Sequence, residues 1–186
     1  YSSINKNSKA YEVLTNLSST KNNIILDFNY TASTRLILKQ CGLSDEDIDN
    51  RLIKVHGEAS NNDIIFGVED NAGIKKEHVF LRKAYNIKYK ALNFSELYDR
   101  IKSVAIFGHS LGETDHTYFN KLFQESCMYN KFSTNNNKEF WLFYYKENGY
   151  HCMMQQLDSL THNSLTSFRQ YNRVNFINTD KEKVSI

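Results

Sequence analysis

Val104-Ala105-Ile106-Phe107-Gly108-His109-Ser110-Leu111-Gly112-Glu113-Thr114-Asp115 reads as a strand, a glycine-bearing loop and the opening of a helix. The four leading apolar residues are continuous, not alternating, the pattern of a strand covered on both faces. Gly108 and Gly112 punctuate the turn. Thr114 and Asp115 then supply a capping hydroxyl and a carboxylate suited to the positive end of a helix. Beyond them Tyr118, Phe119, Leu122, Phe123 and Cys127 recur at helical spacing and predict one buried face.

Working outward, the same pattern recurs. Ile24-Ile25-Leu26-Asp27-Phe28, Leu52-Ile53-Lys54-Val55, Asp63-Ile64-Ile65-Phe66, Trp141-Leu142-Phe143-Tyr144-Tyr145 and Val174-Asn175-Phe176-Ile177 predict five further strands. Helices are expected over 9–17 and 33–40, through Val79, Phe80, Lys83, Ala84 and Ile87, and from an Asn93/Glu96 cap through Leu97 and Ile101. Met153, Leu157, Leu160, Ser164, Leu165 and Phe168 form one more stripe, read as a continuous helix. Asn61-Asn62, Asn71-Ala72-Gly73 and 134–138 read as turns and loop, and 179–183 as a frayed end. Alternating strands and helices predict an α/β fold with a mostly parallel sheet and helices on its faces. A length of 186 residues suits a single α/β domain over 1–186, its core at about 24–178.

Composition removes several function classes. The formal net charge is +2, too small to imply nucleic-acid binding by electrostatics. No apolar run approaches the ~20 residues that span a bilayer. Cys41, Cys127 and Cys152 are odd in number and widely spaced, so reduced, buried thiols and a cytoplasmic location are expected.

The polar and glycine residues collect where strands end. Asn29-Tyr30-Thr31, His56-Gly57, Gly67 and Gly108–His116 follow successive predicted strands. Ligands of open parallel sheets bind there. Gly108-His109-Ser110-Leu111-Gly112 fits the G-x-S-x-G nucleophile elbow, with Asp158 and His162 following as a triad in chain order. The charged turn after it, and the placing of Asp158 and His162 on one helix, argue against that reading. As a backbone cradle the loop would hold a phosphate or ribose, with Ser110 donating to it. His56 would be a general base and Asn29 would orient a sugar hydroxyl or water. A metal held by His109, Asp115 and His116 is disfavoured, since neighbouring helix positions point apart. His78, His151 and His162 read as surface or satisfied core histidines.

Leu26-Asp27-Phe28-Asn29-Tyr30-Thr31, Val55-His56-Gly57, Ile64-Ile65-Phe66-Gly67 and Ile106–Asp115 resemble the ordered blocks of the AbiH family of phage abortive-infection proteins, from about Ile24 to Tyr145. That pattern in turn resembles the sirtuin-like NAD-binding domain. The resemblance implies a three-layer Rossmann-type fold with NAD as substrate or ligand and no metal. It makes His56 the base beside Gly57 and Asn29 the residue that positions the nicotinamide ribose. Gly108, His109, Ser110 and Asp115 would form the ribose–phosphate loop. Thr31 stands where sirtuins carry the carboxylate that grips the nicotinamide amide. The glycine-rich block that opens both families is missing here, and a truncated N-terminus is expected. The implied activity is NAD hydrolysis in phage defence. The alternatives are a non-enzymatic module sensing a nucleotide or a phage component, with oligomerisation left open, and, third, a serine hydrolase.

Overall fold

A computed structural model describes residues 6–20, 22–68, 72–85, 100–128 and 137–180. The chain divides into two compact units, Tyr1–Lys90 and Ala91–Ile186, each with its own strands, helices and core.

The first unit is built on two short parallel strands, β1 (Ile25–Asp27) and β2 (Leu52–Lys54), paired Ile25 to Leu52 and Asp27 to Lys54. Three helices accompany them: α1 (Lys9–Ser19), α2 (Ser33–Gln40) and α3 (Asp45–Arg51). Ile25, Leu38, Ile48 and Leu52 form the core, with Leu14 and Leu43 against it. Helix α3 was not anticipated from its charged sequence, which offers the core only Ile48. It is instead specified at its ends. The Ser44 hydroxyl accepts from the Asp47 N–H at 3.1 Å, three acids fill the first turn and Arg51 closes the last. Arg51 also donates to the Leu17 and Thr20 carbonyls, at 2.7 and 2.9 Å, and so ties α3 to the end of α1.

The second unit is a three-stranded parallel sheet in the order β3 (Ser103–Ile106), β4 (Glu139–Tyr144), β5 (Arg173–Asn178). Helix α4 (His116–Ser126) lies between β3 and β4 in the chain; α5 (Lys146–Leu160) and α6 (Leu165–Tyr171) lie between β4 and β5. Phe123, Phe140 and Phe168 join α4, β4 and α6 in one fully buried aromatic cluster, with ring centroids 4.8 to 5.6 Å apart. Each such ring pair adds about 1 kcal/mol beyond simple burial.

The α/β class therefore holds: the strand pairings among the described residues are parallel, and helices intervene. A three-layer Rossmann-type sheet is more than these two small sheets define. Three expected elements differ. Asp63–Phe66 is not a strand but a loop that folds back, with the Ile65 N–H donating to the His56 carbonyl at 2.9 Å. The helix expected from Val79 is a pair of 3-10 segments, Lys76–Leu81 and Lys83–Tyr85, and Ile87 lies outside the described residues. The stripe from Met153 to Phe168 is two helices. His162 and Asn163 take left-handed conformations (φ 50° and 60°) that end α5, while Leu157, Leu160 and Phe168 are all fully buried. The helix expected from Asn93, and residues 134–136 and 181–183, also lie outside the described residues. The three thiols are free; Cys41 and Cys127 are half-buried, and Cys152 is exposed rather than buried. No helix among the described residues is long and apolar enough to cross a membrane.

Candidate functional site

In the first unit, β1 and β2 carry Asn29 and His56 to equivalent positions. Each lies two residues beyond the last pair of the ladder, Asp27 and Lys54. The Val55 N–H continues that ladder by donating to the Asp27 carbonyl at 3.0 Å. His56 is 5% exposed. Its ring meets the edge of Phe28 at 5.4 Å and lies 6.0 Å from Tyr30, which itself pairs with the exposed Phe66 at 5.3 Å. A buried imidazole walled by rings is a proton acceptor that water reaches on few sides.

Gly57 is required by the backbone. Its φ is 73°, and a Cβ there would stand 2.1 Å from the Asp63 carbonyl oxygen. The turn is closed by the Asp63 carboxylate, which accepts from the Glu58 N–H at 2.6 Å. The folded-back 63–66 loop thus brings Phe66 against Tyr30. The apolar run that resembled a strand serves to wall the histidine.

Asn29 is held from below. The buried Asp27 carboxylate accepts from both the Asn29 N–H (2.9 Å) and its side-chain amide (3.1 Å). A carboxylate accepts only from the NH2 end, so the contact assigns the amide nitrogen to Asp27 and keeps the amide oxygen as an acceptor for another group. Lys54 pairs with Asp27 at 2.9 Å and donates to the Thr31 carbonyl at 2.7 Å. The Thr31 hydroxyl shares a hydrogen bond with Ser33 at 3.0 Å. The role of Asp27 and Lys54 went unread in the sequence. Their signal was a carboxylate and an ammonium in otherwise apolar strands, a cross-strand pair once the register is known.

In the second unit, Gly108 to Asp115 form the loop between β3 and α4. Gly108 (φ 66°) has open space around it, and Ser110 is exposed. Leu111 is fully buried and takes the left-handed conformation (φ 54°), at a cost of about 1–2 kcal/mol for an L-residue. Two histidines bracket its peptide. The Leu111 N–H donates to His109 Nδ1 at 2.9 Å, and His116 Nε2 lies 3.0 Å from the Leu111 carbonyl. Because His109 Nδ1 accepts, the neutral ring carries its proton on Nε2, which faces the Asp115 carboxylate at 3.3 Å. Asp115 therefore steadies a histidine, and although it occupies the N-cap position of α4 its side chain makes no capping hydrogen bond there. A 3-10 turn over Glu113–Asp115 precedes α4.

These facts decide among the chemical readings of the loop. An elbow puts its nucleophile on the strained turn between strand and helix, but here Gly108 and Leu111 carry the positive φ and Ser110 does not. His162 bonds Gln124 at 3.0 Å, and the α5–α6 break separates it from the helix that holds Asp158. As a cradle the loop has lost one donor, since the Leu111 amide is spent on His109. Glu113 and Asp115 add negative charge before α4, which disfavours an anion there and leaves the Ser110 hydroxyl as the accessible donor. His116 Nε2 also approaches Gln156 at 2.8 Å, and no group of three potential metal ligands is assembled among the described residues. His78 and His151 are exposed.

No curated protein and no solved structure matches the chain significantly. A protein-family profile does. Residues 2–145 match the family described as bacteriophage abortive infection AbiH, a span that contains both groups of residues. The chain belongs to the AbiH family of bacteriophage abortive-infection proteins.

Proposed function

We propose that this phage-defence protein binds NAD and hydrolyses it, with His56 as general base and Asn29 positioning the nicotinamide ribose. The observation that carries the reading is the His56–Asn29 arrangement: a ring-walled histidine and an oriented amide at equivalent ends of two paired parallel strands. Tyr30 and Phe66 supply flat apolar surface beside it for a planar base. The Asn29 oxygen suits a ribose hydroxyl, which donates. The Ser110 loop of the second unit, taken by itself, resembles the ribose-binding loop of a sirtuin-like domain, and its exposed hydroxyl and acidic surroundings suit a sugar hydroxyl better than a phosphate.

In the proposed reaction the C1′–N bond of the nicotinamide riboside breaks, and its electron pair goes to the pyridinium nitrogen. Nicotinamide leaves neutral. Water bonds to C1′ and gives its proton to His56, leaving ADP-ribose. Thr31 offers the nicotinamide amide a hydroxyl in place of a carboxylate, which weakens the grip on that group.

A second reading is favoured by one observation. Phe66, Phe80, Leu81 and Tyr85 are exposed on two segments joined by the Val68–Arg82 bridge. Such a patch suits a non-enzymatic module that senses a phage component by apolar contact.

The test uses purified full-length protein and NAD, with released nicotinamide as the readout. The wild type is expected to release it, and His56→Ala to slow release by about 10²-fold or more. Equal rates for both remove His56 as the base; no release from the wild type leaves the sensing module.

A further inference from the structure

Lys54 is an ammonium with three N–H donors and three close acceptors. These are Asp27 Oδ2 at 2.9 Å, the Asn29 carbonyl at 2.5 Å and the Thr31 carbonyl at 2.7 Å. Glu58 Oε2 stands further off at 3.8 Å. The lysine side chain is 17% exposed and the aspartate 3%. All of its hydrogen-bonding capacity is therefore spent within one turn of chain, on a loop that no helix or strand ladder holds. Asp27 does the complementary work, accepting from the backbone and side chain of Asn29. The far end of the loop is fastened by the Ala59 N–H, which donates to the Tyr30 carbonyl at 2.8 Å.

From this we propose that Lys54 and Asp27 are a positioning pair, which fixes the Asn29–Thr31 loop and thereby the direction of the Asn29 amide beside His56. Neither residue touches the ligand. The proposal deepens the NAD reading and rests on it only for the catalytic consequence; the fixing of the loop stands on geometry alone. An ion pair this enclosed is a poor source of net stability, but it is well suited to holding a reactive arrangement in register. A misplacement of about 1 Å costs on the order of 10²-fold in rate.

The experiment compares full-length wild type with Lys54→Met and with the double variant Asp27→Asn/Lys54→Met. Lys54→Met alone strands a buried carboxylate and risks misfolding. The double variant removes both charges of the pair, and the amide oxygen it leaves at position 27 still accepts from Asn29. Arg35→Met, which breaks a surface ion pair with Asp49, serves as control. Amide hydrogen exchange is the first readout. In the double variant the Asn29 and Ala59 amides are expected to exchange about tenfold or more faster, with the Ile48 core amide unchanged. Nicotinamide release is the second: kcat falls about tenfold or more while KM moves less than about threefold. Wild-type exchange at Asn29 and Ala59 in the double variant overturns the proposal, and so does a wild-type kcat. If the wild-type protein releases no nicotinamide, the NAD reading falls, and the exchange rates alone decide whether the pair fixes the loop.

Discussion

At the scale of single residues, the proposed chemistry turns on His56 and on the glycine beside it. The pair was legible in the sequence as a strand end followed by His-Gly. What made it more than a turn was not legible: the Asp63 carbonyl sits where a Gly57 Cβ would be. Gly57→Ala must accept both a left-handed backbone and that collision. A loss of about 3 kcal/mol is expected, read as a lowered urea midpoint. An unchanged midpoint would mean that the turn relaxes freely and does not fix His56. The cysteines show the reverse failure. Their sequence context predicted three buried thiols, yet Cys152 lies on the exposed side of α5. Burial raises the Cys127 thiol pKa, which keeps its reactive thiolate scarce. Under limiting iodoacetamide at pH 8, Cys152 is expected to be alkylated before Cys127, as mass spectrometry would show. Faster labelling of Cys127 contradicts that burial.

At the scale of elements, apolar runs located five strands, although β1 and β2 are only three residues long and β3 buries only Ile106. Ile64–Phe66 has the same pattern and is a loop. A run of three apolar residues does not distinguish a strand from a wall folded over a neighbouring group, and here the Asp63–Glu58 contact draws it back. Helix α3 is the opposite case, invisible to periodicity and written in its cap. Ser44→Ala is expected to cost about 1 kcal/mol. A larger loss, about 3–5 kcal/mol, is expected from Phe168→Ala, because that fully buried ring packs on both Phe123 and Phe140. Denaturant titration of the two variants checks the order. A Ser44→Ala cost equal to that of Phe168→Ala would mean that α3 is held by more than its cap and Ile48.

At the scale of the whole molecule, strand–helix alternation gave the class, α/β with parallel pairing, and each unit shows it. Among the described residues the sheets have two and three strands; local pattern reports how a strand is covered and not how many neighbours it has. The candidate residues fall in two groups with distinct local logic. One is a histidine and an amide on adjacent strand ends, the amide held by the carboxylate of an ion pair; the other is a serine loop in which two histidines contact the N–H and the carbonyl of Leu111. Sequence order placed both groups correctly at strand ends but did not reveal that His109 and Asp115 bind each other, since that contact depends on the 3-10 turn before α4. The central claim is that defence works through NAD and through His56. Its most direct measurement is cellular NAD after phage infection, in bacteria carrying the full-length wild-type protein or the His56→Ala variant. The account predicts that NAD falls by about tenfold or more with the wild type and holds with His56→Ala, which also loses protection. NAD that stays constant while the wild-type protein still protects the culture would contradict it.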